Sequence, residues 1–333
     1  MNPQPGTPRI TGPDQLVEMA SGYQKSRIIL SAFELGVFTA IGNGMVSAEE
    51  VARTIGAQPK STERFLNALC AIGLLEKKDD FFFNTEVSSR YLMKGSGEYL
   101  SRIGHMLNLY RTWGTLTEAV RQGKSVTARE YDETSLAHFI EAMHYRAKKT
   151  ADALVSHIPL EGVGRVLDVG GGSGVYSMAF ARARDGLHAD VFDLPKVTEL
   201  ARRYIAESGL ANRIGTKSGD YNRDEFGTGY DLVFMSAIVH INSPAENRAL
   251  VGRAFRALNP GGRIVIQDHI MEEDRTAPAR GALFSLNMLV NTDGGDTYTE
   301  REMFDWLAGA GCVEIERIAT GMENDLMSGR KPR

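Results

Sequence analysis

A chain of 333 residues with 42% hydrophobic content is longer than one typical domain and can bury two cores. Its 38 basic and 42 acidic residues leave a net charge of -4, which gives no global attraction to nucleic acid or an anionic membrane and points to small-molecule partners. No stretch approaches the roughly 20 apolar residues that span a bilayer, Met1 to Arg9 lacks the apolar core of a signal peptide, and the distant Cys70 and Cys312 read as reduced packing residues, so the expected location is the cytoplasm.

The first hundred residues read as helices. Lys25 to Phe38 places Ile28, Ile29, Ala32, Phe33 and Leu35 on a wide apolar face. Ser47-Ala48-Glu49-Glu50 is a capping box, and Ser61 is expected to cap a further helix carrying Phe65, Leu66, Leu69 and Cys70. Leu74 to Phe83 then reads as a hairpin with a charged tip, completing a winged-helix pattern. That pattern invites a DNA-binding reading, which charge tests. Residues 1–100 hold ten Lys/Arg and eleven Asp/Glu, or 10 - 11 = -1, without the basic excess that phosphate neutralisation demands. The apolar faces suit a homodimer interface better.

Tyr99 to Gly123 and Ser135 to His157 read as mostly helical, with Gly123 to Tyr131 as a polar link. This part is expected to bridge to the second half and wall a substrate pocket. His105, Met106, Trp113, Phe139 and Met143 are the candidates for substrate contact, although the same helical spacing also suits core residues.

Arg165 to Val169 reads as a buried strand running into a glycine turn that opens a helix over Val175 to Ala183. Gly170, Gly172 and Gly174 leave no side chain where the backbone must bend and approach a ligand. The spacing G-x-G-x-G differs from the dinucleotide G-x-G-x-x-G. Ala189 to Asp193 is a strand ending in an acid, at the distance where a carboxylate meets a ribose diol; this fits a nicotinamide cofactor and S-adenosylmethionine equally. After a strand near Ile214 to Ser218, Asp220 offers an acceptor for an adenine amino group, and Tyr221 an aromatic edge beside the ring. Nothing provides for a second nucleotide, and no P-loop lysine follows the glycines. No Cys/His cluster has zinc spacing, so no metal is expected.

Tyr230 to Ser236 reads as the fourth strand, and His240 follows its carboxyl end, where open α/β sheets bind ligands. A neutral imidazole there can take a proton near neutral pH. Further on, Ala282 to Asn291 is an apolar helix with Asn287 and Asn291 four residues apart on one face. They either hydrogen-bond a polar substrate or satisfy the backbone near Thr292-Asp293-Gly294-Gly295. Cys312 to Thr320 and Asp325 to Arg330 supply two closing strands.

Asp168 to Gly174, Phe192-Asp193-Leu194-Pro195, Gly219-Asp220 and Leu258-Asn259-Pro260-Gly261-Gly262-Arg263, in that order, resemble the S-adenosylmethionine-dependent O-methyltransferases with an N-terminal winged-helix dimerisation domain, related to plant caffeate-type, hydroxyindole and bacterial polyketide-tailoring enzymes. The resemblance implies an α/β fold, a class I methyltransferase Rossmann-like mixed seven-stranded sheet whose last strand is antiparallel. It also implies domains at 1–98 for dimerisation, 99–130 as helical linker and 131–333 for S-adenosylmethionine binding and catalysis. Asp168, the three glycines, Asp193, Leu194, Asp220, Tyr221 and Ser236 would face the cofactor, Phe139 and Met143 the substrate. His240 would be the general base, oriented by Asp268, for in-line methyl transfer to a hydroxyl with S-adenosylhomocysteine leaving.

The chain also departs from that family. His240-Ile241-Asn242 stands for the frequent His-Asp-Trp, Thr297 for a second plant acid, and Ser236 for a plant lysine. These departures keep open an S-methyltransferase, since thiols ionise more readily than phenols, and a catalytically silent cofactor-binding regulator.

Overall fold

The computed structural model describes residues 10–127 and 133–333. The segment Met1 to Arg9, the end of the polar link and the domain boundary expected at 130/131 lie outside the described residues. Two compact units divide between Tyr110 and Arg111.

The first unit contains α1 (Pro13–Ser21), α2 (Tyr23–Leu35), α3 (Val37–Ile41), β1 (Val46–Ser47), α4 (Ala48–Ile55), α5 (Pro59–Ala71), β2 (Leu75–Lys78), β3 (Phe81–Asn84), α6 (Glu86–Tyr91) and the start of α7 (Ile103–Trp113). Ser47 and Glu50 form the expected capping box. Ser61 is not a cap: Pro59, with its fixed φ and missing N–H, starts α5 two residues earlier, after Gln58. The β2–β3 hairpin turns at Asp79, whose φ of 52° suits a tight two-residue connection. Strands run in the antiparallel order β1-β3-β2. Ala32, Val37, Phe38, Val51, Leu66, Leu69, Leu75 and Phe82 close the core of this unit.

The second unit continues with α8 (Leu116–Gln122), α9 (Glu133–Lys148), α10 (Ala151–Val155), β4 (Arg165–Val169), α11 (Val175–Ala183), β5 (His188–Asp193), α12 (Pro195–Glu207), β6 (Ile214–Ser218) and β7 (Tyr230–Ser236). It ends with α13 (Pro244–Ala257), β8 (Leu258–Asp268), β9 (Ile270–Met271), α14 (Ala279–Asn291), β10 (Tyr298–Thr299), α15 (Glu300–Ala310), β11 (Val313–Ile318) and β12 (Asp325–Arg330). The described residues form one seven-stranded sheet in the order β11-β12-β8-β7-β4-β5-β6. β12 runs antiparallel to β8, and β4 through β8 are parallel.

Alternation along the strands separates two cores. Val166, Leu232, Phe234 and Val265 join Ala179, Phe180 and Ile205 of α11 and α12. Leu167, Val233, Met235, Ile264 and Ile266 join Leu250, Val251, Trp306 and Leu307 of α13 and α15. Each Val, Leu, Ile, Met or Phe among them, removed from water, contributes roughly 1.5–3 kcal/mol. Leu258 to Arg263, expected ahead of a strand, is already its first half: the β7–β8 register jumps opposite Asp231, and a Cβ at Gly262 would lie 2.9 Å from Asn259 O and 3.1 Å from Asp231 O. The chain goes one way from β4 to β5 and β6 and returns to β7, which makes the carboxyl ends of β4 and β7 the crevice for a ligand.

Candidate active site

At the end of β4, Gly170, Gly172 and Gly174 have φ of 65°, 56° and 76°, the left-handed region that favours glycine. Gly171, which stands outside the G-x-G-x-G positions, is held by contact instead: a Cβ there would lie 2.7 Å from Asp168 Cγ. Residues 170–172 of the turn are thus stripped of side chains by two separate constraints. The Gly172 N–H donates to Asp193 Oδ2 at 2.9 Å and the Leu194 N–H to Oδ1 at 2.8 Å, fixing the carboxylate at the end of β5. Burial raises the Asp193 pKa, against these two amides. Each oxygen keeps lone-pair capacity for a diol.

Asp168 lies beneath the turn, fully buried, with Oδ2 accepting from Ser177 N at 3.2 Å and Oγ at 2.8 Å. Its Oδ1 is buried with no hydrogen-bond partner among the described residues. Burial pushes its pKa up from 3.8 to about 6. Between these two values the folded chain carries a proton that the unfolded chain has released, so this residue's contribution to stability falls as pH rises. Asp168→Asn is expected to flatten that slope by up to about 3 kcal/mol across the window. Denaturant unfolding at a series of pH values reads it, and an unchanged slope would count against the buried charge.

Asp220 follows β6; its Oδ1 accepts from Asn222 N at 2.9 Å and its Oδ2 faces Arg223 at 3.5 Å. The half-buried Tyr221 packs against the core, and its carbonyl accepts from Arg253 Nε at 3.1 Å. At the end of β7, Ser236 donates to Gln267, and both side chains oppose the effect of burial on the Tyr176 phenol. Burial raises the Tyr176 pKa. A neutral cluster therefore stands at the end of β7.

His240 lies in one turn of 3-10 helix, Val239–Ile241, and is 8% exposed. Its Nδ1 is 2.8 Å and 3.0 Å from the two oxygens of Asp268, at the end of β8. Burial alone would raise the Asp268 pKa, but His240, His269 and the His269 N–H together hold it below the ordinary carboxylate value. Phe284 of α14 meets His240 edge-on at 4.8 Å and also His269 at 4.8 Å. His269 is buried, and burial lowers its pKa. Neither Phe284 nor His269 stood out in the sequence, although adjacency to Asp268 at a strand end is a signal for the latter.

On α14, Asn287 and Asn291 bond each other rather than the following loop. Asn291 Nδ2 donates to Asn287 O at 2.8 Å and Oδ1 at 3.1 Å, and the Trp113 indole donates to the same Oδ1 at 2.9 Å. Phe284, Asn287 and Asn291 are spaced along one face of the helix, so the amide pair and Trp113 continue the wall that Phe284 begins at His240. Phe139 and Met143 are half-buried on α9. That helix is tied to the glycine turn by His144, whose Nδ1 is 2.8 Å from Ser173 Oγ and whose ring stacks on Tyr204 at 4.3 Å. The helix expected to continue to His157 breaks at Lys149–Thr150 before α10. His105 and Met106 belong to the other unit, the first buried and the second 49% exposed. Thr297 is buried, with Oγ1 3.4 Å from Gly281 O.

Residues 113–313 match the O-methyltransferase domain, and residues 17–94 the O-methyltransferase dimerisation domain. The chain belongs to the O-methyltransferase family. This methyltransferase is 34% identical to the 3-hydroxy-5-methyl-1-naphthoate 3-O-methyltransferase of Streptomyces sahachiroi, across 97% of both chains. It is 28% identical to the tetracenomycin polyketide synthesis 8-O-methyl transferase of Streptomyces glaucescens, across 97% of this chain and 98% of that one. Human N-acetylserotonin methyltransferase, solved in complex with S-adenosylmethionine, superposes with a TM-score of 0.77 at 26% identity over 98% of this chain and all of that one. S-adenosylmethionine is the cofactor of the methyltransferase. The residues present fit it: three successive glycines that clear the start of the turn of side chains, an amide-fixed carboxylate one strand away, and an unsatisfied carboxylate oxygen below. Among the described residues, no helix is long and apolar enough to cross a membrane.

Proposed function

We propose that the chain methylates a hydroxyl of a small aromatic molecule, with His240 as general base, Asp268 as its orienting partner and Asp193 as the ribose ligand. The observation that carries this reading is the His240–Asp268 pair at 2.8 Å. Asp268, held as an anion, fixes the proton on Nδ1, so the lone pair on Nε2 is left to take a proton. Bound S-adenosylmethionine supplies an electrophilic methyl group. His240 withdraws the hydroxyl proton as that oxygen becomes nucleophilic, and Asp268 stabilises the imidazolium formed. Phe284, edge-on to His240, offers an apolar wall for an aromatic acceptor. The naphthoate enzyme named above, which by its name methylates the 3-hydroxyl of a hydroxynaphthoate, supports this acceptor class, and the tetracenomycin enzyme is by its name an O-methyl transferase of polyketide synthesis.

The matched dimerisation domain and the bare face of α1, where Leu16, Val17 and Met19 are 55%, 67% and 67% exposed, support a homodimer built through a winged-helix unit at residues 1–98. Residues 99–130 are then the linker and 131–333 the catalytic domain, working in the cytoplasm on a small molecule without nucleic acid or membrane.

Release of S-adenosylhomocysteine across a panel of phenols, hydroxynaphthoates, thiols and amines tests the reading. Turnover of hydroxyaromatics alone supports it; turnover confined to thiols or amines overturns the acceptor assignment. For Asp193→Ala, losing charge-assisted hydrogen bonds of about 1.5–3 kcal/mol is expected to weaken S-adenosylhomocysteine binding roughly ten- to a hundredfold by calorimetry. Undiminished affinity would remove Asp193 from the cofactor site.

A further inference from the structure

Asn242 is 2% exposed and is the centre of a buried hydrogen-bond chain. Its Oδ1 accepts from Asn222 Nδ2 at 2.9 Å, its Nδ2 donates to Asn247 Oδ1 at 3.2 Å, and its carbonyl accepts from the Tyr298 hydroxyl at 2.5 Å. Asn247 Nδ2 in turn donates to Val239 O at 2.8 Å, inside the turn that carries His240. At the other end, Asn222 N donates to Asp220 Oδ1 at 2.9 Å. Hydrogen bonds thus lead without a gap from the Asp220–Tyr221 turn to the His240 turn.

Burying an amide is costly wherever a partner is missing, and an apolar side chain would fill the Asn242 position without that liability. What the amides add is direction: each fixes its neighbour's orientation, so a movement at one end is felt at the other. The chain is also unfinished at one end, because Asn222 Oδ1 is buried with no hydrogen-bond partner among the described residues. The exocyclic amine of an adenine ring is a donor of the kind that could satisfy it.

We infer that Asn242 is a positioning residue that couples occupancy of the adenine side of the cleft to the orientation of His240. The inference rests on the assignments of Asp220 to adenine and His240 to the base. Each turn then biases the other by the same free energy, so a protein without cofactor holds its base less well aligned.

Adenosine is the probe, since it has no amino-acid arm to reach beyond the ribose. Full-length protein labelled with 15N-histidine is titrated with it, and the His240 ring signals are identified by their loss in His240→Gln. Saturation is expected to move those signals in the wild type, and the movement should fall to less than about half in Asn242→Leu and in Asn222→Ala while adenosine still binds. A bound wild type without movement, or either variant with the full movement, overturns the relay. Should Asn242→Leu not fold, Asn222→Ala, at a half-buried loop position, carries the comparison alone. Calorimetry with S-adenosylhomocysteine separates the two levels of the argument: absent binding to the wild type removes the cofactor assignments and the relay together, whereas binding without a His240 response removes only the relay.

Discussion

Replacing His240 by alanine is expected to lower turnover by roughly 10²- to 10⁴-fold, the usual contribution of a positioned general base, while S-adenosylhomocysteine affinity stays within about twofold. The separation follows from position. His240 is bonded to Asp268 at the end of β8, whereas the candidate cofactor ligands are the turn after β4 and the carboxylate after β5. Asp268→Asn should be damaging too, though less so. It keeps the shape but gives up an anion that sits 2.8 Å from Nδ1 and is held below the ordinary carboxylate range by the two histidines beside it. Asp268→Asn is expected to lower kcat by at least roughly tenfold with little change in acceptor KM, because the lost interaction strengthens only as the imidazolium forms. Initial rates with an acceptor found in the panel, and calorimetry on the same preparations, decide the matter. A His240→Ala variant that keeps most of its turnover, or loses cofactor affinity in step with it, would end the base assignment.

The parts legible in the sequence were those whose chemistry is local. A strand running into glycines, an acid closing the next strand, and a histidine just beyond a third can each be read from a few adjacent residues, because the parallel sheet gathers the carboxyl ends of its strands in one crevice. Asp268 was legible only through resemblance, since nothing in Ile266-Gln267-Asp268-His269 says which histidine its carboxylate will meet. Phe284 was hidden for the same reason: helical periodicity predicts an apolar face, not the two imidazoles that face packs on. Ser61 misled because a good capping residue lost to the proline two positions earlier, whose ring already sets the helical φ. Asn242 looked like a lost family feature. Its role as a hub depends on Asn222, Asn247 and Tyr298, which only the fold brings together. The sequence pairs Asn287 and Asn291 with substrate or with the backbone that follows them. A third arrangement, an amide pair completed by Trp113, required a residue 174 positions away.

Gly295→Ala should cost both stability and catalysis, although this glycine needs no unusual φ. A Cβ at that position would lie 2.3 Å from His240 O, 2.6 Å from Thr292 Oγ1 and 2.8 Å from Ile241 O. Two of these three atoms are backbone of the very turn that carries the candidate base, and Thr292 Oγ1 is already engaged with Met288 O at 2.7 Å and Gly295 N at 2.9 Å. No flexible side chain can swing aside, so either the loop or the His240 turn must shift. Overpacking of this kind costs about 1–3 kcal/mol, or a fall in Tm of roughly 2–4 °C per kcal/mol in a unit of this size. If the turn yields, Nδ1 moves against a buried Asp268, and kcat is expected to drop at least roughly tenfold, since small misplacements of reacting groups are expensive. Cofactor affinity should change far less. Gly309→Ala is the matched control: it lies within α15, where an added Cβ would meet nothing within 4 Å, and alanine there should gain about 0.5–1 kcal/mol from helix propensity. Thermal melts and initial rates on the two alanine variants therefore separate close approach to the His240 carbonyl from any general intolerance of glycine replacement. A Gly295→Ala protein with unaltered Tm and turnover would mean that the 292–296 loop does not brace the base.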